Sequence, residues 1–273
     1  MPEACLRLQW PRSRARHVLP LIAVLGALVA GARVGTAADE IHVLSSGATS
    51  PAYLQLVPLF EKQTGHKLIT DAIATGVGPT AIPARIRRGE PGDVVLTAAA
   101  TLDDLIKQGR VVADSRADLA RSSIGMAVRA GANRPDISTV EALKRTLLDA
   151  RSVAYSAQVS GLYLVNELFP RLGVADAVAK KSRRAETEPV GEIVARGEAE
   201  IGFQQISELR AVKGIDYVGP LPGDAQRTTV FAAGVLTASR HQDASRALIR
   251  FLRSPEAVRV MTQSGLEALA SAR

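Results

Sequence analysis

The chain is poor in the residues that carry most enzyme chemistry. Its 273 residues include one cysteine, Cys5, and one tryptophan, and aromatics make up 4%. A single thiol near the N-terminus excludes a disulfide framework, a Cys-ligated zinc site and a cysteine nucleophile from the body of the protein. Histidine is scarce too: His42, His66 and His241 stand far apart, without a carboxylate at metal-ligand spacing. No HExxH, GxSxG, Walker A or CxxC pattern occurs. The glycines of Thr75-Gly76-Val77-Gly78 form half of a dinucleotide fingerprint and lack its third glycine. No metal and no cofactor are expected, and spacing alone identifies no catalytic residue.

What is present begins with a leader. Arg7, Arg12, Arg14 and Arg16 precede an apolar stretch over 18–30, and Gly35, Thr36, Ala37 and Ala38 stand just before Asp39-Glu40. A basic region, an apolar region short for a bilayer span and a small-residue exit make a cleavable secretory signal, predicted over 1–37. A retained signal anchor is the alternative. No cysteine stands at the exit, so a soluble periplasmic protein without a lipid anchor is expected. Residues 1–37 hold five Arg and one Glu, leaving 29 basic against 26 acidic residues, a net charge of about +3 and not +7. That balance gives no ground for a nucleic-acid partner.

Short β-rich runs alternate with helical patterns, the rhythm of an α/β protein. Strands are predicted at 41–44, 67–74, 93–96, 123–129, 153–155, 201–203, 217–218 and 229–237. Helices are predicted at 51–63, 139–150, 160–172, 190–196, 242–252 and 255–264. The late strand at 229–237, followed by two helices, would complete a domain begun at the N-terminus. Two lobes with mostly parallel sheets follow, 38–122 plus 229–273 and 123–228, joined by a hinge of two crossings. A single doubly wound domain is the alternative.

Three strand-to-helix turns carry small or hydroxyl residues: Ser45-Ser46-Gly47-Ala48-Thr49-Ser50, Ala74-Thr75-Gly76 and Gln158-Val159-Ser160-Gly161. Free N–H groups and the positive helix end make such turns anion cradles, and hydroxyls add donors without bulk. Any one of them reads equally as a helix cap. Together they predict a ligand site built from Ser45, Ser46, Gly47, Ala48, Thr75, Gly76, Gln158, Ser160 and Gly161. Thr97, after the buried run Asp93–Leu96, and Gln205 complete the set.

The ordered segments VLSSGATSPAYLQLVPLFEKQTGHKL, GEPGDVVL, GEAEIGF and FLRSPEAVRVM…GLEAL resemble the periplasmic molybdate-binding protein family. The resemblance covers nearly all of the chain after the leader. It implies a type 2 periplasmic-binding fold, a monomer, a small anionic ligand and an ABC permease as partner. It also implies a ligand serine where Ala48 stands, a second at Thr75 and a tyrosine where Gln205 stands. Losing a hydroxyl and a phenol removes two donors, worth about 1–3 kcal/mol each to a buried oxyanion. An organic di- or tricarboxylate is therefore expected in place of molybdate. Relatives of this family include a periplasmic aconitate isomerase, which makes a cofactor-free proton shift the alternative function. Tyr155 and the Ser45-Ser46 pair are candidate proton-transfer groups for it, and Arg85 or Arg87 are candidate partners for the carboxylates.

Overall fold

The computed structural model describes residues 38–73 and 78–269. The predicted leader, Thr75, Gly76 and the last four residues lie outside the described residues. Among the described residues ten strands form the sheet: β1 (Glu40–Ser46), β2 (Lys67–Ile73), β3 (Val94–Ala98), β4 (Ala117–Arg129), β5 (Val153–Ser156), β6 (Ser182–Ala185), β7 (Ile201–Gln205), β8 (Ile215–Pro220), β9 (Thr228–Val235) and β10 (Glu267–Ala268). Their order is β2-β1-β3-β9-β4-β7-β5-β6, with β8 and β10 also paired to β4.

Two strands organise this order. The first half of β4 pairs with β9, from Ala117 opposite Ala233 to Ser123 opposite Thr228. Its second half pairs with β7 and β8, from Ile124 opposite Gln205 onward. One long strand thus serves two lobes, each with its own core. In the first, Phe60 of the helix Ser50–Thr64 packs on Phe251 of the helix Gln242–Leu252, with ring centroids 5.4 Å apart. Ile41, Val43, Val94 and Val235 complete that core from the sheet. In the second, Ile124, Met126, Phe203 and Val153 pack against Leu143, Leu147 and Leu168 from the helices.

The expectation of mostly parallel sheets needs correcting. The outer strands are parallel, β1 with β2 and β3, and β5 with β6 and β7. The pairings made by β4 and β9 are antiparallel, because these strands cross between the lobes and run against their neighbours in each.

Local chemistry explains the elements that bound the cleft. The helix Ser50–Thr64 carries Pro51 in its first turn, where a missing N–H costs nothing, and stops at Gly65 in a left-handed conformation with φ 81°. The helix predicted over 160–172 is three consecutive pieces, with a π-type turn at Leu164–Leu168 between α-helical Val159–Tyr163 and Phe169–Leu172. Pro170, two residues beyond that turn, has no N–H for the regular ladder, and the wider turn accommodates it.

Side-chain amides tie the crossings together. Gln226 accepts from the Ile124 N–H at 2.8 Å and donates to the Ile124 and Leu221 carbonyls at 2.9 and 3.1 Å. It supplies the partner that Ile124 would otherwise lack where β4 leaves β9. Ser123 and Thr228 hydroxyls meet beside it at 3.1 Å.

Candidate functional site

The site is a cleft of about 620 Å³ with a small recess adjoining it. Gly47, Gln158 and Glu208 line both spaces. Ser50, Ser156, Gln204, Glu188 and Glu192 face the cleft, while Ala48, Ser160, Gln205 and Phe231 close the recess.

Strand ends supply each wall. At the end of β1, a chain of hydroxyls shapes the first turn: Ser46 Oγ lies 2.9 Å and Ser45 Oγ 3.2 Å from Thr49 Oγ1, and Ser50 Oγ donates to Ser45 Oγ at 3.0 Å. Ser45 and Ser46 are fully buried by this arrangement, and neither lines the cleft. Their hydroxyls hold the turn so that Gly47 and Ala48 present backbone to the ligand space. At the end of β5, the Gln158 N–H donates to Ser156 Oγ at 3.2 Å, and the Ser156 and Ser160 hydroxyls are 3.2 Å apart. The helix that follows approaches the strand so closely that a Cβ on Gly161 would stand 1.6 Å from the Ser156 carbonyl oxygen.

β7 and the helix Ile206–Ala211 supply the third wall. Ser207 Oγ donates to the Ala48 carbonyl at 2.8 Å, joining this helix to the first turn. Gln205, oriented to satisfy both ends of its amide, donates to Ser122 Oγ at 2.9 Å and to the Ser122 carbonyl. It is therefore bonded into β4, and it also borders the recess. Ser207→Ala leaves a buried carbonyl without its side-chain donor. It should lower stability by about 1 kcal/mol, read as a lower urea midpoint with an unchanged slope.

Glu208 is the residue that sequence reasoning missed. Its Oε1 lies over Gly47, where a Cβ would stand only 2.2 Å away, and it accepts from Gln204 Nε2 at 2.8 Å. The Val190 N–H donates to Gln204 Oε1 at 2.8 Å, which fixes that amide and aims its NH2 at Glu208. Burial pushes the Glu208 carboxyl up to about 8, against the smaller opposing pull of Gln204. Neutral at pH 7, the group can donate to a ligand, and ionised it can accept a proton. The sequence offered one hint, a lone acidic residue three positions after Gln205.

Other expected residues lie elsewhere. Thr97 is fully buried beside β9, its hydroxyl unpartnered among the described residues, and it lines neither space. Tyr155 packs edge-on to Phe169 in the second core. Arg85 is held by Glu90 and, at 2.7 Å, by Asp71, and Arg87 is exposed on the same short helix. No Arg or Lys is among the described residues that line the cleft. The groups there that can donate to an anion are hydroxyls, amides and the N–H groups of the turns, and the carboxylates Glu186, Glu188 and Glu192 share the lining. Thr75 and Gly76 lie outside the described residues.

This geometry has relatives. The chain is 47% identical, over 91% of its length and 96% of the relative, to an aconitate isomerase from a Pseudomonas species. It is 29% identical, over 84% of its length and 90% of the relative, to the molybdate-binding protein of Azotobacter vinelandii. The solved periplasmic molybdate-binding protein of that organism superposes with a TM-score of 0.68 at 21% identity, covering 83% of this chain and 98% of that one. The sulfate-binding protein SubI of Mycobacterium tuberculosis superposes with a TM-score of 0.64 at 18% identity, covering 85% and 88%. These likenesses identify a type 2 periplasmic-binding fold. A family model for bacterial extracellular solute-binding proteins matches residues 41–267, and the chain belongs to that family.

Proposed function

We propose that the protein is exported to the periplasm and interconverts cis- and trans-aconitate there, as an isomerase on a solute-binding scaffold. The observation that carries this reading is the 47% identity to the Pseudomonas aconitate isomerase along 91% of the chain. The cleft supports it in two ways. Its volume of about 620 Å³ suits a tricarboxylate. Ala48 and Gln205 replace the serine and tyrosine that the molybdate-binding resemblance implies, which removes donors a small oxyanion would need.

The ligand set in this reading is the one the turns supply, Gly47, Ala48, Gln158, Ser160, Gly161 and Gln205, with Thr75 and Gly76 from the second turn. Ser45, Ser46 and Thr97 act behind it. The lobes 38–122 plus 229–273 and 123–228 close on the substrate about the two crossings. Incubation of the purified protein with cis-aconitate should yield trans-aconitate over many turnovers per protein molecule, followed by chromatography. Uptake that stops at one equivalent would refute the reading.

The family membership favours a second reading, a monomeric receptor that hands an organic di- or tricarboxylate to an ABC permease. In that case aconitate raises the melting temperature and is recovered unchanged.

A further inference from the structure

The geometry points to Glu208 as the catalytic residue, a single carboxyl that takes a proton from one carbon of the substrate and returns it to another. The inference rests on the isomerase reading and deepens it.

Interconversion of the aconitate isomers moves a double bond by one position. A C–H bond of the methylene carbon breaks and its proton passes to the base. The electron pair forms the new C=C bond, and the pair of the old one is delocalised as a carbanion onto the adjoining carboxylate. A new C–H bond then forms at the former vinylic carbon, with the proton coming back from the same carboxyl. Atoms and electrons balance without an added oxidant, reductant or co-reactant. The two carbons are separated by one atom, so one carboxyl on one face of the substrate can reach both.

Glu208 has the placement this step needs. It lines both the cleft and the adjoining recess, and its Oε1 rests on the bare backbone of Gly47. Among the described residues, burial and the Gln204 hydrogen bond are the influences acting on it, and no cation lowers its basicity. Gln204 is a positioning residue, held by the Val190 N–H and directing one N–H to Oε1, which leaves the other carboxyl oxygen for the substrate. The other carboxylates facing the cleft are less suited. Glu188 is paired with Arg183 and Arg196, Glu186 with Arg184, and Glu192 is exposed.

The test compares the wild-type chain with E208Q and E208A, using two readouts, turnover of cis- and trans-aconitate and exchange of the methylene hydrogens with D2O. Both variants should bind aconitate, read by calorimetry, while losing at least 100-fold in turnover and in exchange. Added formate should restore part of the activity of E208A, because the vacated space adjoins Gly47. A folded variant of either kind that keeps more than a tenth of wild-type turnover overturns the assignment and leaves the isomerase reading standing. A wild-type protein that binds aconitate and converts none overturns both.

Discussion

Gly161→Ala is expected to unfold the ligand site and to destabilise the protein by about 3 kcal/mol, the upper range for forced overpacking. The added carbon would stand 1.6 Å from the Ser156 carbonyl oxygen and 2.7 Å from its carbon, both backbone atoms at the end of β5. No rotamer change relieves such a clash, so the helix Val159–Tyr163 must move away from the strand. That movement breaks the contact between the Ser156 and Ser160 hydroxyls and displaces Gln158 from both the cleft and the recess. The melting temperature should fall by roughly 8 °C, and aconitate should no longer raise it. A variant with wild-type melting temperature and ligand response would contradict the description of this turn. Gly47→Ala is a useful contrast. There the added carbon meets the tip of Glu208, a side chain that can swing aside, so the fold should survive while the carboxyl is displaced.

The second large effect is on pH dependence. Burial holds Glu208 protonated up to about 8, and a base must first be ionised. kcat/KM should therefore rise about tenfold per pH unit below pH 8 and level off above it. The other titratable groups facing the cleft are Glu186 and Glu188 ahead of the helix Val190–Ala195 and Glu192 on it, and Arg210 follows Glu208 on its own helix. The first two are ion-paired, Glu186 with Arg184 and Glu188 with Arg183 and Arg196. Stability carries the opposite sign. The folded protein keeps a proton on Glu208 that the unfolded chain releases above its ordinary value of 4.5. The Glu208 contribution to stability thus declines from about pH 4.5 to about 8 and then stays level. E208Q should abolish that decline, and its stability relative to wild type should grow across the window. A flat rate profile between pH 6 and 8 would remove Glu208 from the reaction.

Local signals in the sequence located the scaffold well. The strand predicted at 41–44 is the centre of β1, the helix predicted at 51–63 runs from Ser50 to Thr64, and the return strand predicted at 229–237 is β9. Each has a local cause: Ile41 and Val43 alternating in a short apolar run, helical spacing closed by Gly65, and a return segment rich in small and apolar residues. What escaped is non-local. β4 begins at Ala117, six residues before its predicted start, because its first half is specified by pairing with β9 and not by its own composition. Gln226 reads as a loop residue until its amide is seen bridging Ile124 and Leu221. Ser45 and Ser46 carry the hydroxyls expected at an anion site, yet their partners are Thr49 and Ser50, and they shape the turn from behind. Glu208 belongs to no motif. Its raised pKa comes from burial between the first turn and β7, an environment that only the folded chain creates.

The central claim is catalysis on a binding scaffold, and an equilibrium approached from both sides tests it most directly. Purified protein at catalytic concentration is incubated separately with pure cis-aconitate and pure trans-aconitate, and both isomers are followed by proton NMR until no further change. The isomerase reading predicts that the two mixtures converge on the same ratio, with many turnovers per protein molecule. Two mixtures that stay as they began, from a protein that aconitate nonetheless stabilises, would contradict it and leave a receptor.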